Sequence, residues 1–204
     1  KGSVGNDLIF GGDIASEEQG GVDTADFSEL ERALSVSFSQ EDGNNLRNVS
    51  VTGSGIAAKM YSIDELLLGE LDDTLQIDDL DLALQEYGMV VDAGFHTSGD
   101  TADFSALGEG VNLQLQGLSS ILVEGTNLTL KNFETLNLTS YDDVITYHSA
   151  SDQTSNQALV TINAGAGEDV IRAVNSPDPG APQTYDAERT EMTINAGADD
   201  DIVI

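Results

Sequence analysis

The chain has 204 residues, of which 39% are hydrophobic but only 5% aromatic, with neither Trp nor Cys. Seven Lys and Arg stand against 37 Asp and Glu, a formal net charge of −30. Nucleic acid and anionic membrane surfaces are excluded as partners, since both are bound through cationic side chains.

Without cysteine there are no disulfides, thiolate metal sites or thiol nucleophile. No stretch approaches the eighteen or so apolar residues of a membrane span, so no membrane insertion is expected. So large an acidic excess opposes a compact state unless cations screen or bind it. It reads either as a disordered acidic chain or as a fold that takes up cations. The apolar residues are too many and too regularly spaced for the first reading. A core built from Val, Ile, Leu and Ala without large rings suits thin, repeating layers. Lys1 is not Met and Ile204 closes an apolar run, which reads as a segment of a longer polypeptide.

In chain order, the first feature is Gly2-Ser3-Val4-Gly5-Asn6-Asp7-Leu8-Ile9-Phe10, followed by Gly11-Gly12. A loop is expected over Asp13 to Gln19. Asp23-Thr24-Ala25-Asp26-Phe27-Ser28 comes next, then Leu34-Ser35-Val36-Ser37-Phe38, whose period-two alternation predicts a half-buried strand. Ile63 to Leu75 ends in Asp72-Asp73-Thr74-Leu75, and Asp78 to Tyr87 reads as a short helix or an outer strand. From here the chain repeats itself. Asp100-Thr101-Ala102-Asp103-Phe104-Ser105 duplicates the earlier hexapeptide 77 residues on, and Val111-Asn112-Leu113-Gln114-Leu115 duplicates its strand. Phe133 to Ile145 aligns with Ile63 to Leu75. Thr161-Ile162-Asn163-Ala164-Gly165-Ala166 recurs as Thr193-Ile194-Asn195-Ala196-Gly197-Ala198, with Val91-Asp92-Ala93-Gly94 a weaker version. Ser176 to Arg189 holds all three prolines and reads as a loop. Two copies of one unit are expected, over residues 1–90 and 91–173. Residues 174–204 would carry a loop insertion and the start of a third.

The element with chemical content is a turn of small residues, an Asp, and an aliphatic residue two positions later. Gly5-Asn6-Asp7-Leu8-Ile9, Gly165-Ala166-Gly167-Glu168-Asp169-Val170-Ile171 and Gly197-Ala198-Asp199-Asp200-Asp201-Ile202-Val203 share it. Calcium takes six to eight hard oxygen ligands at about 2.3–2.6 Å. Glycine lets backbone carbonyls converge on an ion without Cβ clashes. The Asp supplies charge, and the aliphatic residue packs inward. One turn offers half a shell, so an ion must be shared between successive turns. Equally, an Asp in such a turn can cap its own backbone.

These segments resemble the repeats-in-toxin (RTX, hemolysin-type calcium-binding) family, whose nonapeptide is G-G-x-G-x-D-x-U-x with U aliphatic. The resemblance implies an all-β fold, a right-handed parallel β-roll or β-helix solenoid with irregular rungs and loop insertions. Carried over by position, the aspartates of the motif are Asp7, Asp73, Asp143, Asp169 and Asp201, with Asp23 and Asp100 as equivalents. Gly5, Gly165, Gly167 and Gly197 would supply turn carbonyls, and Asp199, which replaces a glycine, joins the Ca2+ ligand set. Several glycines of the motif are replaced and no two perfect nonapeptides are consecutive, so a few isolated Ca2+ sites are expected, not a long ladder. The hexapeptide copies read as structural, with Phe buried and Asp and Ser capping a bend. His96 and His148 stand isolated in unlike contexts.

No zinc-protease helix, nucleophile elbow or phosphate-binding loop is present, and the protein is expected not to be an enzyme. The resemblance implies a secreted or cell-surface protein, exported through a type I channel and folded outside on calcium. Its roles would be structural or adhesive, with end-to-end self-association or cell-surface polysaccharide as partners. The alternative is the secretion and folding tail of a protease, lipase or polysaccharide epimerase. A carbohydrate-acting β-helix would be a third, but no site for it is visible.

Overall fold

The computed structural model describes residues 5–10, 22–40, 47–80, 88–96, 98–116, 120–148, 160–174 and 192–204. These form eighteen β-strands, and no helix occurs among them. The first nine strands are β1 (Gly5–Phe10), β2 (Thr24–Asp26), β3 (Leu34–Gln40), β4 (Arg47–Gly53), β5 (Ile56–Tyr61), β6 (Glu65–Leu67), β7 (Thr74–Gln76), β8 (Met89–Asp92) and β9 (Thr101–Asp103). The others are β10 (Asn112–Gln116), β11 (Ser120–Val123), β12 (Leu128–Lys131), β13 (Thr135–Asn137), β14 (Val144–His148), β15 (Val160–Asn163), β16 (Val170–Val174), β17 (Met192–Asn195) and β18 (Ile202–Val203). The two alternating runs predicted as strands are β3 and β10. Leu34, Val36 and Phe38 are buried in the first, Leu113 and Leu115 in the second.

The strands make two nine-stranded sheets, ordered β1-β5-β4-β3-β7-β9-β13-β15-β17 and β18-β16-β14-β10-β11-β12-β8-β6-β2. Outside two three-strand meanders, each connection carries the chain from one sheet to the other, and strands that meet within a sheet are parallel. The meanders β3-β4-β5 and β10-β11-β12 are antiparallel, so the sheets are mixed and not purely parallel as the repeats suggest. Tight reversals explain the difference. Gly55 (φ 79°) and Gly125 (φ 78°) take the left-handed conformation that returns the chain to its neighbour.

Register builds the core. In the first sheet Val36, Leu75, Ala102, Leu136, Ile162 and Ile194 occupy successive in-register positions. In the second, Leu113, Ile145, Ile171 and Val203 do the same. Side chains of both sheets meet in one hydrophobic cluster, into which Phe27, Phe104 and Phe133 are fully buried. Outside the core, the Asn195 amide donates to Asn163 Oδ1 (2.7 Å) and Asn163 to Asn137 Oδ1 (2.8 Å), so equal side chains bridge equal positions.

The sequence repeats map onto this arrangement with an offset. β2 and β6 of the first copy pair in the second sheet, whereas their counterparts β9 and β13 pair in the first. The connection between β2 and β9 crosses between sheets an odd number of times, so equivalent elements of the two copies lie on opposite sheets. Of the remaining expectations, the loops over 13–19 and 176–189 lie outside the described residues. So do residues 81–87, while 78–80 form neither helix nor strand.

Glycine holds neighbouring connections together. Gly165 has φ +98°, and a Cβ there would sit 2.1 Å from the Thr139 carbonyl oxygen of the adjacent connection. Gly125 also has positive φ (+78°), but a Cβ there would meet nothing within 4 Å. Gly125→Ala therefore costs backbone strain alone, about 1 kcal/mol. Gly165→Ala adds a collision with backbone and should cost roughly 3 kcal/mol. Urea denaturation of the two variants in one buffer checks this; equal losses would contradict the close approach.

Candidate functional site

Most strands outside the meanders are entered through an acidic residue. Asp73, Asp100 and Glu134 immediately precede β7, β9 and β13 in the first sheet, and Asp143, Asp169 and Asp201 precede β14, β16 and β18 in the second. Each carboxylate accepts a hydrogen bond from the backbone N–H of the preceding neighbour strand's entry. Along the first sheet Leu34 donates to Asp73 Oδ1 (2.6 Å), Asp73 to Asp100 Oδ1 (2.6 Å) and Asp100 to Glu134 Oε2 (2.9 Å). Along the second, Val111 donates to Asp143 Oδ1 (2.6 Å), Asp143 to Asp169 Oδ1 (2.8 Å) and Asp169 to Asp201 Oδ1 (3.2 Å). Two ladders of carboxylates result, and all their members except Asp201 are buried.

The second oxygens separate these residues into two kinds. Asp73 Oδ2 accepts from the Gly69 N–H (3.0 Å), and Asp143 Oδ2 from the Thr139 N–H (2.9 Å). Thr139 Oγ1 also donates to Asp143 Oδ1 (2.9 Å). Both carboxylates are thus held on both oxygens. Asp100 Oδ2 and Asp169 Oδ2, by contrast, are buried with no hydrogen-bond partner. They hold the same step of their ladders, one beyond Asp73 and Asp143. The preceding residues Asp72 and Asp142 brace the next connection from outside. Asp72 Oδ1 accepts from Ser98 N–H (2.6 Å) and Gly99 N–H (3.2 Å), and Asp142 Oδ1 from Glu168 N–H (2.8 Å).

Burial governs the electrostatics. It raises the Asp73 carboxyl to about 6, against the lowering hydrogen bonds from Leu34 and Gly69. It raises Asp100 to about 8, assisted by the charges of Glu134, Asp73 and Asp72. Asp143 and Asp169 are raised for the same primary reason, the latter also by Asp143, Asp201 and Asp142. Glu134 is raised by burial, partly offset by the Asp100 N–H and by His96. An uncompensated carboxylate in this setting must take up a proton or meet a cation.

The expected site residues divide accordingly. Asp73, Asp100, Asp143, Asp169 and Asp201 fall in the two ladders. Gly165, Gly167 and Gly197 all have positive φ in the connections of the second ladder, and Asp199 (φ 84°) adopts the same left-handed backbone as the glycine it replaces. Ala166 and Ala198 bridge those two connections, and the Ala198 N–H donates to the Gly165 carbonyl (3.1 Å). Asp23 precedes β2 and its N–H donates to Asp64 Oδ2 (2.9 Å), a shorter version of the ladder. Asp7 is not brought to it: it lies within β1, in register with Ala58. Gly5 opens that strand, donating from N–H to the Gly55 carbonyl (2.9 Å). The structural reading of the hexapeptides agrees with Ser28 and Ser105 N–H donating to Asp26 and Asp103 (3.0 and 2.9 Å).

Glu134, Asp64 and His96 are the residues that sequence reasoning does not single out. Asp64 and Glu134 align as the second residue of Ile63-Asp64-Glu65-Leu66 and Phe133-Glu134-Thr135-Leu136, a recurrence visible in the repeats. His96 has no such signal, yet its Nδ1 lies 3.1 Å from Glu134 Oε2 and 3.8 Å from Asp100 Oδ2. Neither a protein-family model nor a curated protein matches the chain.

The two kinds of aspartate respond oppositely to amide substitution. Both oxygens of Asp73 and Asp143 accept N–H donors, so Asn would turn an NH2 against a donor. Asp100→Asn and Asp169→Asn keep the one bonded oxygen and remove an acid that burial otherwise forces to stay protonated. In chelator at pH 7.5, Asp100→Asn and Asp169→Asn should raise the urea midpoint, and Asp73→Asn and Asp143→Asn should lower it. A carboxyl raised from 3.8 to about 8, as at Asp100, contributes stability fully present below the unfolded value and lost as pH rises through 8. Metal-free wild type should accordingly weaken between about pH 4 and 8, and Asp100→Asn should flatten that decline.

Proposed function

We propose that the chain is a calcium-binding structural module of the RTX type, a right-handed parallel β-roll interrupted by two meanders. Each pair of sheet crossings makes one coil, and Ca2+ lodged between neighbouring acidic connections joins coil to coil. The observation that carries this reading is Asp169 Oδ2, a buried carboxylate oxygen without a hydrogen-bond partner, in a connection shaped by Gly165 and Gly167. Asp143, Asp169 and Asp201 follow one another in this ladder, and Asp199 lies in the connection that leads to Asp201. Their carboxylate oxygens suit a hard cation. Asp169 would lead the ligand set, with Asp201 beside it in the ladder, and the cation's charge would replace the proton that burial otherwise forces onto Asp169. Asp23, Asp73 and Asp100 contribute less directly, through the hydrogen-bonded order of their own connections.

Metal binding then couples to folding. Mutual repulsion among 37 acidic residues disfavours the coiled state until cations arrive, and cations bind only the coiled state. That property fits a chain that stays unfolded where calcium is scarce and folds where it is millimolar. On this reading the protein is secreted or displayed at a cell surface, with a structural or adhesive rather than catalytic role. Ile202, Val203 and Ile204 are exposed at β18, the last strand of its sheet among the described residues, where a further β-segment can add.

Circular dichroism and urea denaturation of the whole chain during Ca2+ titration test the proposal, with Mg2+ as the control cation. Stability should rise with Ca2+, by about 2.7 kcal/mol per site at a hundred times the dissociation constant. Mg2+, which demands tighter octahedral geometry, should do far less, and Asp169→Asn should remove most of the Ca2+ response. An identical β spectrum and midpoint in strong chelator and in saturating Ca2+ would refute it.

A further inference from the structure

The first-sheet ladder ends differently from the second. Where the second presents only oxygen donors, the first brings an imidazole to its unpartnered carboxylate. His96, Asp100 and Glu134 each offer one ligand atom within 4.8 Å of the other two. Two segments supply them: the connection before β9 gives His96 and Asp100, and the entry to β13 gives Glu134.

Each side chain keeps the capacity to take an ion beside the other two. Asp100 is fully buried, its Oδ1 taken by the Asp73 N–H, its Oδ2 without a hydrogen bond. Glu134 accepts the Asp100 N–H through Oε2, which keeps a second lone pair. His96 is the most exposed of the three, at 31% of its side chain, while Glu134 and Asp100 are buried. A proton on His96 Nδ1 can bridge to Glu134 Oε2 at 3.1 Å, but at 3.8 Å it is beyond hydrogen-bond reach of Asp100 Oδ2. That hydrogen bond satisfies Glu134 and leaves Asp100 Oδ2 without a partner. A single ion among the three atoms satisfies all of them. Donors bound tetrahedrally at 2.0–2.1 Å stand about 3.3 Å apart, a value that the two measured separations, 3.1 and 3.8 Å, enclose.

We propose that His96, Asp100 and Glu134 form a second, chemically distinct metal site that takes a divalent transition cation of the Zn2+ class. Donor type sets the class. Calcium and magnesium bind through oxygen, whereas neutral imidazole suits zinc and its first-row neighbours. One nitrogen and two carboxylate oxygens leave the fourth tetrahedral position to water, a donor from outside or a second molecule. The site does not depend on the calcium reading, because its ligands come from the other ladder and its nitrogen is foreign to calcium.

The test is calorimetric titration of the full chain with ZnCl2 in calcium-saturated buffer, paired with visible absorption of the Co2+ form. Wild type should show one site at least roughly tenfold tighter than the diffuse binding of surface carboxylates, with a Co2+ spectrum altered by nitrogen coordination. His96→Ala and Glu134→Gln should abolish both signals, and His148→Ala should leave both intact. His96 lies in an exposed connection, so its variant should keep the wild-type circular dichroism and the wild-type response to Ca2+, which separates loss of this site from loss of the fold. Absence of any distinct tight site, or its persistence in His96→Ala, would overturn the proposal. A Zn2+ site in a chain indifferent to Ca2+ would sink only the calcium reading.

Discussion

The structure depends on placing a carboxylate at the point where a strand begins and hydrogen-bonding it to the backbone of its neighbour. A strand entry leaves an N–H that the regular ladder does not reach, and a buried N–H without an acceptor is costly. Asp73, Asp143 and their counterparts supply that acceptor, fixing the height at which each strand joins its sheet. The same solution concentrates negative charge on two narrow lines inside the molecule. Two carboxylates, Asp73 and Asp143, are held by donors on both oxygens, but Asp100 and Asp169 are not. Structural need and the capacity to bind cations therefore arise from one device.

The ladders share a plan and diverge in chemistry. Gly69 and Thr139 hold the same place, each giving its N–H to the following aspartate, but Thr139 adds a hydroxyl bond that Gly69 cannot. Downstream, the connection before Asp169 is short and shaped by Gly165 and Gly167. The one before Asp100 is two residues longer and carries Phe95 and His96. That extra length takes the first ladder away from an all-oxygen environment and brings in a nitrogen.

Much of this was legible in the chain because the fold is written locally. Period-two alternation identifies β3 and β10, and the recurrence of Asp72-Asp73 as Asp142-Asp143 identifies equivalent strand entries. The meanders were not legible as such. Val49, Val51, Ile56, Ala58 and Met60 alternate well around Gly53-Ser54-Gly55, but a hairpin and a crossing use similar residues. Whether a strand pairs with its predecessor or crosses over is decided by the space left in the sheet, not by the strand itself. Asp7 shows the same limit: the Gly-x-Asp spacing is present, yet the residue lies inside a strand against Ala58. His96 meets Glu134 across 38 positions of chain, a proximity that only folding creates.

The displacement of the two repeats onto opposite sheets has a consequence for how such a chain can lengthen. A unit with an odd number of crossings restores its original orientation only after being copied twice. Gaining or losing one unit moves every element that follows it to the opposite sheet, while the same side chains still face the core, as Phe27 and Phe104 do. Parity, and not only length, then becomes a quantity on which selection can act, and even multiples keep an element on its sheet where odd ones transfer it.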